Sequence, residues 1–257
     1  MKESAVVVGG VAIRYVEEGS GVPLLLVHGN MGSSRWFEKT MRVPGCRAVA
    51  LDMPNFGGSG PFAGAADIDR YADAVAGFAE ALRLERPLLL GHSLGGAVAI
   101  SLAVRWPARW RGLVLADSAA PSGFSTPVER HPAIEAMRTD RAFLAKAIGA
   151  VVPAMRDEAF LETLVDDARR MAAPAWIGNA EALSRFDYGG RCGAYDGPVL
   201  VLWGRLDSIV TEAMAAETAR AFGGARLEIL EGVGHSAMAE APGRFVDIVG
   251  GFARGLA

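Results

Sequence analysis

PLLLGHSLGGAVA, residues 87–99, is the segment that decides the fold of this chain. The apolar run Leu88–Leu90 predicts a short buried strand, and the small residues after Ser93 predict a helix that packs closely on a sheet. Gly91, Ser93 and Gly95 form the pattern Gly-x-Ser-x-Gly at the turn between them. Such a tight turn needs glycine on both sides of the serine and lifts its hydroxyl clear of the sheet. The segment therefore predicts that Ser93 is a nucleophile.

A serine hydroxyl needs a base, and the chain has only four histidines. His92 is next to Ser93 on a sharp turn and should point away from it. His131 lies in an insert, and His28 begins a loop with another expected role. His235, in GVGHS, follows the last predicted strand, at the sheet edge where α/β proteins gather their active sites. We therefore expect His235 to be the base; the alternative is that Ser93 only caps the next helix.

Two carboxylates compete to orient His235. Asp207, in GRLDS, and Asp117, in LADS, each follow a predicted parallel strand and would lie at the same sheet edge. Asp207 is favoured because it gives the chain order Ser, Asp, His that accompanies this type of turn. Asp117 remains the alternative acid.

Backbone donors near Ser93 are expected to stabilise a tetrahedral oxyanion. The N–H of Leu94 directly follows the nucleophile, and the loop after an early strand should supply a second donor. We favour the N–H of Asn30 for that donor, with Met31 as the alternative, and the Asn30 side-chain amide could add a third. Met31, Phe124 and Trp176 are the candidates for substrate contact.

Strand and helix patterns alternate along most of the chain, which predicts a parallel sheet with helices on both faces. Between Pro121 and Pro198 the alternation stops and three helical patterns follow one another. Those helices begin near Arg141, Asp157 and Pro174. We predict a core domain made of residues 1–120 and 197–257, and a helical lid made of residues 121–196.

Composition narrows the class of protein. The 257 residues are 51% hydrophobic and 21% charged, which is typical of a globular chain and not of a disordered one. The net charge of −3 and the scattered arginines argue against a nucleic-acid partner and indicate no other special partner; a small-molecule substrate is the expectation. Two cysteines form no metal or redox motif, and we find neither a secretory signal nor a run that could cross a membrane. A cytoplasmic monomer or homodimer is the expectation.

The motifs HGN, DMPNFGGSG, GHSLGG, GRLD and GVGHS occur in an order that resembles the α/β-hydrolase superfamily. The resemblance covers nearly the whole chain and places residues 121–196 where that family carries its lid. It implies Ser93 as nucleophile, His235 as base, Asp207 as acid, and Asn30 and Leu94 as oxyanion donors, with no cofactor and no metal. The HGN loop is also similar to that of haloalkane dehalogenases, but those use a carboxylate nucleophile and this chain has a serine.

Ester or lactone hydrolysis through an acyl-serine is the predicted reaction, on a small and largely apolar substrate. The alternative with the same residues is carbon–carbon hydrolysis of a diketone-like substrate. A ligand-binding protein without catalytic activity is the alternative from another class.

Overall fold

One eight-stranded sheet forms the centre of the computed structural model, which describes residues 1–256. The strands are β1 (Lys2–Val8), β2 (Val11–Gly19), β3 (Val22–Val27), β4 (Cys46–Leu51), β5 (Leu88–His92), β6 (Gly112–Ala116), β7 (Val199–Gly204) and β8 (Arg226–Leu230). Their spatial order is β1-β2-β4-β3-β5-β6-β7-β8, antiparallel at β1, β2 and β4 and parallel from β4 to β8. The predicted mostly parallel sheet is confirmed. Ala257, the last residue of the predicted core segment, lies outside the described residues.

Strand β3 shows why the parallel strands are continuous apolar runs. Leu25 and Val27 face one hydrophobic layer, whereas Leu24 and Leu26 face the layer on the other side of the sheet. Successive side chains of a strand point to opposite faces, so a strand covered on both faces needs apolar residues at every position. Both layers exclude solvent almost completely here.

Helices cover both faces of the sheet, as predicted. The helices are α1 (Ile68–Ala81), α2 (Leu94–Arg105), α3 (His131–Thr139), α4 (Arg141–Val151), α5 (Glu158–Ala168), α6 (Ala175–Arg185), α7 (Glu212–Ala221), α8 (Ala237–Glu240) and α9 (Pro242–Arg254). Phe78 of α1 packs in one layer and Phe245 of α9 in the other. Within residues 1–256, no helix combines the length and the apolar character needed to cross a membrane.

Four α-helices, not the predicted three, lie between β6 and β7. The missed helix is α3, HPAIEAMRT, in which Ile134 is the only buried residue. A helix with so little buried apolar surface gives a weak periodic signal, and its Pro132, a residue also typical of loops, occupies the first turn. Leu144 and Trp176 from the other helices share one hydrophobic layer with the sheet. The division into core and lid stays a prediction.

The turn from β5 into α2 has the geometry that its glycines predict. Ser93 adopts φ 54° and ψ −119°, a backbone conformation that residues with a side chain rarely adopt. A Cβ on Gly91 would lie 2.2 Å from the Gly95 carbonyl oxygen, and a Cβ on Gly95 would lie 2.4 Å from the carbonyl oxygens of Val27 and His28. The turn is therefore closed by backbone packed directly on backbone.

We predict that Gly95→Ala destabilises the protein because its methyl group meets backbone atoms that cannot rotate away. The expected loss is at least about 2 kcal/mol, the scale of an overpacked core site. Gly149→Ala is the matched control, since that helical position has its nearest neighbour at 3.8 Å and alanine should stabilise it by about 0.5–1 kcal/mol. Urea unfolding measures both; equal stabilities for the two variants would contradict the prediction.

Candidate active site

Side chains from three loops meet at the carboxyl edge of the sheet. Ser93 follows β5, Asp207 follows β7 and His235 follows β8. The Ser93 hydroxyl lies 3.0 Å from His235 Nε2, and His235 Nδ1 lies 2.8 Å from Asp207 Oδ2. The structure thus brings together the three residues that the sequence singled out for nucleophile, base and acid.

The Asp207 carboxylate is held on both oxygens. Its Oδ1 accepts hydrogen bonds from the backbone N–H groups of Ile209 and Val210, at 2.7 and 2.9 Å, and Oδ2 faces the imidazole. The side chain has no exposure to solvent. A carboxylate in this position accepts the Nδ1 proton of His235, which leaves Nε2 to accept a proton from Ser93.

Burial and the Asp207 carboxylate have opposite effects on the pKa of His235. Burial, the largest single influence, disfavours the charged imidazolium and lowers its pKa, but the hydrogen bond to Asp207 and the negative charges of Asp207, Asp117 and Glu240 together outweigh it. The pKa of His235 is therefore raised from its ordinary value of 6.5. The imidazole is poised to hold a proton more firmly than a histidine in water.

The backbone of His235 is fixed from two sides. Its N–H donates to the Val151 carbonyl at the end of α4, 2.9 Å away, and its carbonyl accepts from His92 Nε2 at 2.8 Å. Burial lowers the pKa of His92 to about 3, so this ring is neutral and carries one N–H. His92 is thus a positioning residue for the loop that carries His235.

Asp117, the alternative acid, lies near the same histidine without a hydrogen bond to it. Its Oδ1 accepts the N–H of Gly204 at 2.8 Å, and its buried Oδ2 has no partner within residues 1–256. Burial raises the pKa of Asp117 to about 7, an effect that the charge of Asp207 increases and that of His235 opposes. Asp207 is the carboxylate that the structure places on His235.

Asn30 is oriented by a hydrogen-bonded series of three other polar side chains. Asn55 Nδ2 donates to the Tyr71 hydroxyl at 3.0 Å, Tyr71 donates to Asn179 Oδ1 at 2.8 Å, and Asn179 Nδ2 donates to Asn30 Oδ1 at 2.8 Å. Burial raises the pKa of Tyr71 to about 12, so its phenol stays protonated and can donate. Because Oδ1 of Asn30 is engaged, its Nδ2 is left to donate elsewhere.

The family model described as Alpha/beta hydrolase family matches residues 24–248. The chain belongs to the alpha/beta hydrolase family. That finding agrees with the sheet order and with the glycine-flanked serine at the turn after β5.

Two relatives of this alpha/beta hydrolase are named as hydrolases. A 2-hydroxymuconate semialdehyde hydrolase from Pseudomonas sp. (strain CF600) is 28% identical, over 96% of this chain and 92% of its own length. A pimeloyl-[acyl-carrier protein] methyl ester esterase from Neisseria meningitidis serogroup A is 30% identical, over 87% of this chain and 76% of its own. An enol-lactonase from Burkholderia xenovorans LB400 has the same fold, with a TM-score of 0.88 at 22% identity, covering 98% of this chain and 100% of that one.

A cavity of about 460 Å³ opens beside Ser93 in this alpha/beta hydrolase. Its walls are mostly apolar, with side chains from the early loop, the insert and the loop after β7. They are Asn30, Met31, Ser93, Ala119, Phe124, Thr126, Arg130, Ala133, Ile134, Met137, Ala180, Leu183, Ile209 and Val210. A cavity with apolar walls and a few polar groups is typical of a small-molecule site.

Two of the three candidates for substrate contact line this cavity, Met31 and Phe124. Trp176 does not: it is 1% exposed, and its indole N–H donates to the Met171 carbonyl at 3.4 Å. A large aromatic residue at helical spacing is suited to core packing as well as to a binding wall, and here it packs in the core.

The cavity wall includes residues that sequence reasoning did not single out. Ile134 and Met137 belong to α3, the helix that was missed, and Arg130 directly precedes it. Ile209 and Val210 lie just after Asp207. The sequence could have indicated Ile209 and Val210, because they lie next to the candidate acid at the sheet edge and so close to the candidate active site.

The two remaining histidines lie away from the Ser93 hydroxyl. His28 is buried, bonds the Gly29 carbonyl through Nδ1 and accepts the Met53 N–H on Nε2 at 3.0 Å, and burial lowers its pKa. His131 begins α3. The choice of His235 among the four histidines therefore agrees with the geometry.

We predict that the pKa of His235 lies above 6.5 and falls in Asp207→Asn, because the variant loses the negative charge that stabilises the imidazolium. Asp117→Asn should lower it less, since burial favours the neutral form of Asp117 and no hydrogen bond joins it to the ring. Nitrogen-detected NMR titration of the imidazole measures all three proteins. A larger decrease in Asp117→Asn would reverse the order of the two carboxylates.

Proposed function

We propose that this protein is a serine hydrolase that cleaves a carboxylic ester or lactone of a small, largely apolar substrate. The observation that carries the proposal is the hydrogen-bonded line from Asp207 through His235 to Ser93 at the wall of an apolar cavity. That arrangement contains the nucleophile, base and orienting carboxylate that acyl transfer through serine requires. The insert of residues 121–196 is proposed to act as the lid over this cavity.

In the first half of the reaction, Ser93 Oγ attacks the substrate carbonyl carbon while its proton passes to His235 Nε2. Asp207 stabilises the imidazolium that forms, and the raised pKa of His235 suits it to this role. The carbonyl oxygen becomes an oxyanion. The imidazolium then gives its proton to the leaving alkoxide oxygen, and the acyl group remains on Ser93.

The oxyanion is proposed to accept hydrogen bonds from the backbone N–H groups of Leu94 and Asn30. Leu94 is the first residue of α2, so its N–H has no partner within the helix and also lies at the positive end of the helix dipole. The Asn30 side-chain Nδ2 is a further donor, oriented by Asn179. Met31, at φ 55°, remains the alternative source of a backbone N–H in the same loop.

In the second half, His235 takes a proton from water, which attacks the acyl carbon. The tetrahedral intermediate collapses, the Ser93 oxygen leaves with the proton held by His235, and the carboxylic acid is released. The proposed steps use only Ser93, His235, Asp207, the proposed oxyanion donors and one water molecule.

Carbon–carbon hydrolysis is the second candidate. It is favoured by the relative named as a 2-hydroxymuconate semialdehyde hydrolase, which aligns with 96% of this chain. 2-Hydroxymuconate semialdehyde, the semialdehyde of a dienedioic acid, contains no ester, so its hydrolysis breaks a carbon–carbon bond. The ester proposal is supported by the methyl ester esterase relative, at 30% identity.

We expect a fluorophosphonate probe to label the protein once, on Ser93. Only an activated serine attacks such a probe at an appreciable rate, because an ordinary hydroxyl is a poor nucleophile. Ser93→Ala should abolish labelling and hydrolysis of p-nitrophenyl esters, whereas Ser208→Ala, an exposed serine beside Asp207, should retain both. Mass spectrometry of the labelled peptide identifies the site. An unlabelled wild-type protein would favour a ligand-binding role without catalysis.

Tyr71→Phe should lower kcat about tenfold with little change in KM. The variant removes the hydroxyl that fixes Asn179 and so leaves the Asn30 amide free to rotate; loss of a whole oxyanion donor costs on the order of 100-fold or more. Tyr15→Phe is the matched control, since Tyr15 is also buried but packs edge-to-face on Phe78. Steady-state kinetics on one ester compares them. Equal kcat values for the two variants would exclude the orienting role.

A further inference from the structure

Arg130 is the one charged side chain among the residues that line the cavity beside Ser93. Apart from Asn30, Ser93 and Thr126, the other lining residues are apolar. Asn30 and Ser93 belong to the proposed reaction centre, whereas Thr126 and Arg130 lie on the segment between β6 and α3. The cavity therefore has a cationic group on a wall that the proposed chemistry does not use.

The positive charge of Arg130 is not neutralised within residues 1–256, where no carboxylate forms an ion pair with it. The acidic residue of α3, Glu135, is already engaged: it accepts from Nε and Nη2 of Arg138, on the same helix. The Arg130 side chain makes no hydrogen bond within residues 1–256, and its backbone N–H donates to the Pro127 carbonyl. Its guanidinium is exposed and keeps all five donors for a ligand.

The segment that precedes Arg130 is hydrogen-bonded to α6. The Thr126 N–H donates to Ser184 Oγ on α6 at 3.1 Å, and the Phe124 N–H donates to the Leu183 carbonyl at 3.0 Å. These bonds fix the start of the segment on a helix that also lines the cavity. The segment that leads to Arg130 is therefore attached to the cavity wall by hydrogen bonds.

We propose that Arg130 binds a carboxylate on the substrate, remote from the bond that is cleaved. The substrate class is then a monoester, or a lactone, that also carries a free carboxylate at the far end of an apolar chain. The apolar wall accommodates the apolar part of the substrate, and the planar guanidinium can donate two parallel hydrogen bonds to its carboxylate. This inference rests on the proposed function for the identity of the cleaved bond.

A carboxylate is the anion that fits this wall best. One guanidinium supplies a single positive charge, which matches a carboxylate and falls short of the charge of a phosphate monoester at neutral pH. A carboxylate stays ionised above about pH 6, so recognition by Arg130 should persist throughout the pH range in which His235 loses its proton. Salt should weaken it, since Arg130 is exposed to solvent.

The test compares mono-p-nitrophenyl esters of adipic, pimelic and suberic acid with p-nitrophenyl esters of neutral fatty acids of matched length. Wild-type protein should have a lower KM for the anionic esters. Arg130→Gln should raise that KM about tenfold, keep kcat within about twofold, and leave the neutral esters unchanged. Arg130→Lys should restore part of the preference. Arg169→Gln, which removes one exposed charge outside the cavity, is the control and should behave as wild type.

Binding to Ser93→Ala, measured by calorimetry with the monomethyl esters of adipic, pimelic and suberic acid, separates this inference from the proposed function. If Ser93→Ala binds those esters only when Arg130 is present, but wild type cleaves no ester, the anion subsite stands and the ester hydrolase proposal falls. If wild type cleaves neutral esters, but Arg130→Gln changes anionic and neutral esters equally, the anion subsite is overturned and the hydrolase proposal stands.

Discussion

The contact of Gly95 with the end of β3 is the constraint on which the site depends. Because residue 95 has no side chain, the first turn of α2 lies directly against the carbonyl groups of Val27 and His28. The turn also lies beside the loop that carries Asn30, since a Cβ on Gly29 would lie 2.8 Å from the Cβ of Ser93. The contact of Gly95 also forces Ser93 into its unusual backbone conformation, which points the hydroxyl toward His235. The proposed nucleophile and the first turn of α2 are thus positioned by a single backbone-to-backbone approach.

The insert lines part of the cavity and also holds loops that belong to the proposed site. Val151, at the end of α4, accepts the His235 N–H, and Asn179 on α6 donates to Asn30. Asp167 on α5 accepts from the buried Ser33 hydroxyl, in the same loop as Asn30. Any displacement of these helices therefore reaches both the proposed base and the proposed oxyanion donors. Three hydrogen bonds thus join the insert to the loops of the proposed site.

Sequence alone predicted the parts of this protein that local chemistry determines. Apolar runs bounded by turn residues gave the parallel strands, and Gly91 with Gly95 indicated the turn at Ser93, because few other sequences permit that turn. The wall of the cavity was harder to predict. Helix α3 is mostly exposed and thus lacks a strong period, and whether Trp176 faces the cavity or the core depends on how the insert docks, which no local pattern encodes. Arg130 was missed for the same reason.

The two buried carboxylates near His235 differ in the number of hydrogen bonds that they receive from the protein. Asp207 receives two backbone N–H groups and the imidazole, so its ionised form replaces the water it has lost. Asp117 receives one N–H, and burial raises its pKa to about 7. Two full negative charges at this edge would repel each other and hold the His235 proton too firmly for its return to a leaving group. Burial raises the pKa of Asp117 and so favours its protonated form, which leaves the Asp207 carboxylate as the negative charge hydrogen-bonded to the imidazole during the proposed reaction.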